Sequence, residues 1–149
     1  HRIDFLKYLE KQGDIEMNIY GYDNKFEYKN YKKKLDMKEK SKGIIPYKYY
    51  FIVENNYERN YVTEKLWEPI LCETLVFYYG CPNVSEYIDE KAYVQLDMNS
   101  FENSYNIIKQ AIKEDWWSQR IEYIKKEKKK ILNEIGFFPT INQIIKNDK

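Results

Sequence analysis

Two short clusters carry the polar groups best suited to chemistry. Glu54-Asn55-Asn56 follows the aromatic and β-branched run from Tyr47 to Val53, and Tyr61-Val62-Thr63-Glu64-Lys65 opens a helical pattern. The order is buried strand, polar turn, helix start. In an open parallel sheet, ligands bind beyond the carboxyl ends of the strands. Thr63, Glu64 and Lys65 fall in or near a first helical turn, where unpaired N–H groups and the helix dipole favour an anion. A lysine is ordinarily better placed at the other end of a helix, so a phosphate beside Lys65 would give it a purpose there. The plain alternative is that Asn and Glu cap the helix and Glu64-Lys65 is a solvated pair. On pattern alone both readings stand.

Other chemistries are excluded by what the chain lacks. No GxGxxG or GxxxxGK[ST] occurs, so a dinucleotide dehydrogenase or P-loop enzyme has no support. His1 is the only histidine, and Cys72 and Cys81 form no CxxC. A structural zinc site and Ser-His or Cys-His catalysis are therefore not expected, and no metal site is predicted. Of 25 Lys+Arg only Arg2, Arg59 and Arg120 are arginine. Each stands where lysine is the default, so each invites a reason. Asn83-Val84-Ser85 is formally a glycosylation sequon, read here as a chance match near a helix start. Trp116-Trp117 can stack on a sugar, but a tryptophan pair between helices more often packs a core.

The elements that position these groups follow from periodicity. Ile3, Leu6 and Leu9 with Phe5 and Tyr8 predict a first helix, stopped by Gly13. Ile15 to Tyr20 alternates and predicts a short strand, and residues 22–42 predict a loop with at most a short helix. Strands are expected at Tyr47–Val53, Thr74–Tyr79 and Tyr93–Leu96. Helices are expected over residues 61–73, with Pro69 removing one ladder bond, and over residues 84–88, 101–113 and 117–133. A last short helix follows Pro139. Strands alternating with helices, each strand apolar on both faces, give the α/β class: an open parallel sheet flanked by helices.

The chain's 149 residues suit one domain or one lobe, with 43% hydrophobic and 17% aromatic residues to form a core. The formal net charge of +1 gives no general reason to expect a nucleic-acid partner. The lysine run from Lys125 to Lys130 reads as the wet face of a helix. No apolar stretch is long enough to span a membrane, and no signal segment follows His1, so a cytoplasmic location is expected. The start at His1-Arg2-Ile3 reads as a piece of something longer.

The segment from Tyr47 to Gly80 resembles the donor-binding motif of the family-10 glycosyltransferases, the α-1,3/α-1,4-fucosyltransferases. The matching residues are Tyr47-Lys48-Tyr49, Val53-Glu54-Asn55-Asn56, Tyr61-Val62-Thr63-Glu64-Lys65-Leu66 and Leu75-Val76-Phe77-Tyr78-Tyr79-Gly80-Cys81-Pro82. The similarity extends from about Arg2 to Ile145. Val53 stands where Phe is usual, Asn56 where Ser is usual, and Pro69 where Ala is frequent.

The resemblance implies one lobe of a GT-B glycosyltransferase with a Rossmann-like fold. Residues 1–149 would be the C-terminal nucleotide-sugar-binding domain. The N-terminal acceptor lobe, which carries the general base, is absent from this chain, so no catalytic residue is assigned here. The implied reaction is inverting transfer of fucose from GDP-fucose to a glycan acceptor, with no cofactor required. Alternatives are another nucleotide sugar on the same fold, or a non-catalytic nucleotide-sugar-binding module. The resemblance puts Lys65 and Arg2 on the diphosphate, Glu64 on ribose or sugar hydroxyls, and Asn55 and Tyr61 at the donor site. Glu54 and Thr63 are also in the motif; for Glu54, a carboxylate that satisfies the backbone at the helix approach is the preferred reading. Tyr61 can equally be a core aromatic. Asp97-Met98-Asn99 only partly echoes the Asp-x-Asp metal signature of the other main glycosyltransferase fold.

Overall fold

The computed structural model describes residues 1–147. Helix α1 (Arg2–Gln12) buries Phe5 and Leu9, four residues apart on one face. It ends where Gly13 takes the left-handed conformation (φ 75°) and its N–H donates to the Leu9 carbonyl. Glycine enters that conformation without a Cβ penalty.

The main sheet holds three parallel strands in the order β3 (Tyr49–Val53), β4 (Leu75–Tyr79), β5 (Tyr93–Gln95). Phe51 pairs with Phe77, Val53 with Tyr79, and Phe77 with Val94. The central strand β4 is buried from Leu75 to Tyr78, which is why it reads as an unbroken apolar run. Helix α2 (Glu64–Leu71) crosses from β3 to β4, and 3₁₀ turns at Val84–Glu86 and Glu90–Ala92 lie in the β4-to-β5 connection. Phe5 carries α1 onto the sheet, its ring 5.3 Å from Phe51 and 5.2 Å from Phe101.

Phe101 opens α3 (Phe101–Lys113), which buries Ser104, Ile108 and Ala111. Helix α4 (Trp116–Lys130) packs against α2 and runs into a π-helical turn at Ile131–Ile135. Helix α5 (Phe137–Asn147) begins before Pro139, not after it. A proline in the first turn gives up an N–H that has no helical partner anyway.

A second, two-stranded parallel sheet joins β1 (Ile19–Tyr20) to β2 (Tyr31–Lys33). Here the structure departs from the expected strand at residues 15–20: only Ile19 and Tyr20 pair, with an irregular register. Strand β2 falls inside the expected loop. Its residues are half-buried or exposed, so no hydrophobic alternation marks it. Among the described residues no helix is long and apolar enough to cross a membrane.

Candidate functional site

The loop between β3 and α2 is built around one buried carboxylate. The Glu54 N–H extends the ladder by donating to the Tyr79 carbonyl at 2.8 Å, which fixes where the side chain leaves the strand. That side chain is fully buried. Its Oε1 accepts from the Thr63 N–H at 3.0 Å, and the Thr63 hydroxyl lies 3.0 and 2.8 Å from the two oxygens. Thr63 is the N-cap of α2, and its Oγ1 in turn accepts from the Lys65 N–H at 3.3 Å. Asn60, three residues ahead of this cap, takes the left-handed conformation (φ 63°).

The Lys65 ammonium completes the group, 3.4 Å from Glu54 Oε2, with the lysine side chain 24% exposed. Charge-assisted contacts of this kind offset the cost of burying a carboxylate. The chain's own Glu54 thus takes the Thr63 N–H just ahead of α2, while Lys65 also lines the neighbouring cleft. The physical reason is the nine-residue return from Glu54 to Thr63, which spacing alone does not reveal.

Gly80 makes room for this arrangement. A Cβ at Gly80 would lie 2.5 Å from Glu54 Cγ, 2.8 Å from Glu54 Cβ and 2.6 Å from the Tyr78 hydroxyl. The Tyr78 hydroxyl accepts from the Cys81 N–H, and burial pushes its phenol well up. The far side of the loop is clamped by Asn83. Its amide oxygen accepts from the Asn60 N–H at 2.9 Å, and its NH₂ donates to Asn60 Oδ1 and Glu86 Oε2, both at 2.8 Å. With 6% exposure and its NH₂ engaged twice, Asn83 presents no free amide for glycosylation.

A cleft of about 1120 Å³ lies beside this loop. Residues 14–23 and 47–53 line it, together with Arg2, Glu64 and Lys65. The Tyr47 hydroxyl joins these two lining segments, accepting from Asn18 Nδ2 at 2.9 Å and meeting the Tyr20 hydroxyl at 2.6 Å. That contact, followed by burial, raises the Tyr20 phenol. These tyrosines were not singled out as site residues; Tyr47 was visible only as part of the motif.

The site residues named from the sequence separate into groups. Arg2, Glu64 and Lys65 line the cleft. Asn55 is exposed at the end of β3, and Tyr61 is half-buried; neither lines the cleft. Val62 packs against the core whereas Tyr61 does not. Glu54 and Thr63 sit behind Lys65, bonded to each other. The other two arginines have structural partners: Arg59 pairs with Glu86, and Arg120 donates to the Tyr93 carbonyl and lies over the Trp116 ring. Trp117 packs against the core and donates to the Glu73 carbonyl. Asp97 Oδ1 accepts from the backbone and side chain of Asn99, a local turn before α3.

The result is a Rossmann-like lobe with a cation-bearing cleft beside the strand-to-helix turn of β3 and α2. The sequence profile of "Glycosyltransferase family 10 (fucosyltransferase) C-term" matches residues 1–116, and the chain belongs to that family. It is 28% identical over 102 residues to a GDP-fucose protein O-fucosyltransferase 3 of Danio rerio, covering 66% of this chain and 22% of that protein. It is 29% identical over 75 residues to an alpha-(1,3)-fucosyltransferase FucT of Helicobacter pylori, covering 50% and 16%. The chain therefore spans about a fifth of the length of these curated relatives. A crystal structure of an alpha1,3-fucosyltransferase shares its fold at a TM-score of 0.59 and 17% identity, over 89% of this chain and 42% of that one.

Proposed function

We propose that residues 1–149 form the donor-binding domain of an inverting fucosyltransferase that uses GDP-fucose. The observation that carries this reading is the placement of Arg2, Glu64 and Lys65 around one cleft, within a chain of family 10. In the reaction, an acceptor hydroxyl attacks the anomeric carbon from the face opposite the diphosphate. The bond to the diphosphate breaks, and GDP leaves with the electron pair. The hydroxyl proton passes to a general base on the acceptor lobe, outside residues 1–149. Negative charge grows on the leaving diphosphate, and fixed cations there stabilise the transition state more than the ground state.

Lys65 and Arg2 supply those cations. Arginine's fork matches two phosphate oxygens, which gives Arg2 its reason in a lysine-biased chain. Glu64 accepts hydroxyl hydrogen bonds from the ribose or the sugar, while Asn55 and Tyr61, which do not line the cleft, meet the donor from the loop beside it. The glycan acceptor binds the other lobe.

Calorimetry of the folded chain against guanosine, GDP, UDP and GDP-fucose tests the reading. It expects micromolar to millimolar affinity for the guanine nucleotides, weaker affinity for UDP, and weaker still for guanosine. Equal binding of UDP and GDP would transfer the proposal to another nucleotide sugar.

A further inference from the structure

We propose that Glu54 is the positioning residue of the diphosphate subsite: it tethers the Lys65 ammonium at the edge of the cleft and holds it there before a donor arrives. The proposal rests on the reading of Lys65 as a phosphate contact. Glu54 itself does not line the cleft, so it acts through Lys65 and not on the ligand.

Three observations meet at this residue. Its carboxylate is fully buried, and the Lys65 ammonium is the only cationic partner it has among the described residues. Thr63, which caps the helix carrying Lys65, bonds the same carboxylate through both N–H and hydroxyl, so both ends of the Thr63–Lys65 segment are fixed to one group. Gly80 leaves the room that Glu54 Cβ and Cγ fill, so the carboxylate has a shaped seat beneath the loop.

The physical consequence follows from lysine chemistry. A lysine side chain loses rotamer freedom when it is ordered, and that loss counts against binding if it occurs only when the ligand arrives. Glu54 imposes the order in advance. An ammonium has three donors, so one can stay on Glu54 while the others turn to phosphate oxygens. Glutamine at position 54 has the same size but only a neutral oxygen for Lys65, and its NH₂ would confront the Lys65 and Thr63 donors.

The test uses the 149-residue chain and two readouts. First, without ligand, the rate at which Lys65 is reductively methylated is followed by mass spectrometry. Glu54→Gln is expected to speed methylation of Lys65 several-fold relative to the other lysines. Second, calorimetry gives the GDP-to-guanosine affinity ratio, which is expected to fall about tenfold in Glu54→Gln, the scale of a charge-assisted contact. In a Lys65→Ala background the same change is expected to leave the ratio where Lys65→Ala alone put it.

If Glu54→Gln does not fold, Glu54→Asp keeps the charge and withdraws it by one methylene; the same two changes are expected at smaller size. Unchanged Lys65 methylation, or an unchanged ratio in a folded variant, overturns the proposal. If the wild-type chain binds no nucleoside diphosphate, the donor-site reading fails. Faster methylation in Glu54→Gln would then mark Glu54 as a tether of the fold alone, which also overturns its role in a subsite.

Discussion

Gly80→Ala subjects the buried carboxylate to the most severe local test. The added methyl would come within 2.5 Å of Glu54 Cγ, 2.6 Å of the Tyr78 hydroxyl and 2.8 Å of Glu54 Cβ. Carbon contacts settle near 3.5–4.0 Å, so each neighbour must yield by roughly 1 Å. None is the loose end of a flexible side chain. Tyr78 is fully buried with its hydroxyl bonded to the Cys81 N–H, and Glu54 is held at its carboxylate by Thr63 and Lys65. Gly80 does not occupy the left-handed region, so the cost is steric and not conformational.

Overpacking of a well-filled interior costs about 1–3 kcal/mol, and the upper half of that range applies where three contacts clash together. For a chain of this size, about 2–3 kcal/mol lowers Tm by roughly 5–10 °C. Urea unfolding followed by far-ultraviolet circular dichroism, with thermal melts alongside, measures it. A loss under about 0.5 kcal/mol would refute the reasoning, because it would mean that Glu54 is not packed beneath Gly80. The folded fraction of Gly80→Ala is also expected to prefer GDP over guanosine less than the wild type does, since Glu54 can no longer sit where it holds Lys65.

Thr63→Ala removes the cap and the hydroxyl's bond to Glu54, with an expected loss of about 1–3 kcal/mol by urea unfolding, while Thr63→Ser retains most of it. Lys65→Ala is expected to weaken GDP binding about tenfold to a hundredfold and guanosine binding less than about twofold; equal losses would mean that Lys65 does not meet the diphosphate. Asn83→Ala is expected to loosen residues 55–60, seen as faster amide exchange at Asn60 and Tyr61, and unchanged exchange there would remove the clamp.

At acid pH, Asp115 and Asp14 matter. Ser118 and then Lys48 hold Asp115 below its usual 3.8, and Lys109 and then Tyr105 do the same for Asp14. Their stabilisation is complete above that value and is lost as pH falls through the lowered ones, so Asp115→Asn is expected to flatten the acid limb of the stability curve. An unchanged limb in urea titrations from about pH 6 to 3 would contradict it.

The parts of the fold that were legible in the sequence are those set by burial along one element. Strand β4 reads directly because burial on both faces makes its residues apolar, and α3 because Ser104, Ile108 and Ala111 fall at helical spacing. Strand β2 was hidden because its ladder partner, not burial, makes it a strand. In the candidate site, Lys65, Glu64 and Arg2 were legible as residue types out of place or in a known pattern. Glu54 reads from the sequence as a carboxylate satisfying the backbone at the helix approach, and it does accept the Thr63 N–H; its seat was not legible, since that depends on Thr63 nine residues on and on Gly80 across a neighbouring strand. The sequon at Asn83 carried no hint of the Asn60 clamp, because a buried amide and an exposed one are spelled alike.

The central claim is that a nucleoside diphosphate binds this chain through Lys65 and Arg2. Titration of GDP and guanosine into wild type, Lys65→Ala and Arg2→Ala by calorimetry measures it most directly. The account predicts saturable GDP binding by the wild type, clearly tighter than guanosine, with the gap between the two ligands closing in both variants. A folded wild-type chain that gives no heat with GDP at high concentration, or that binds guanosine as tightly as GDP, would contradict it.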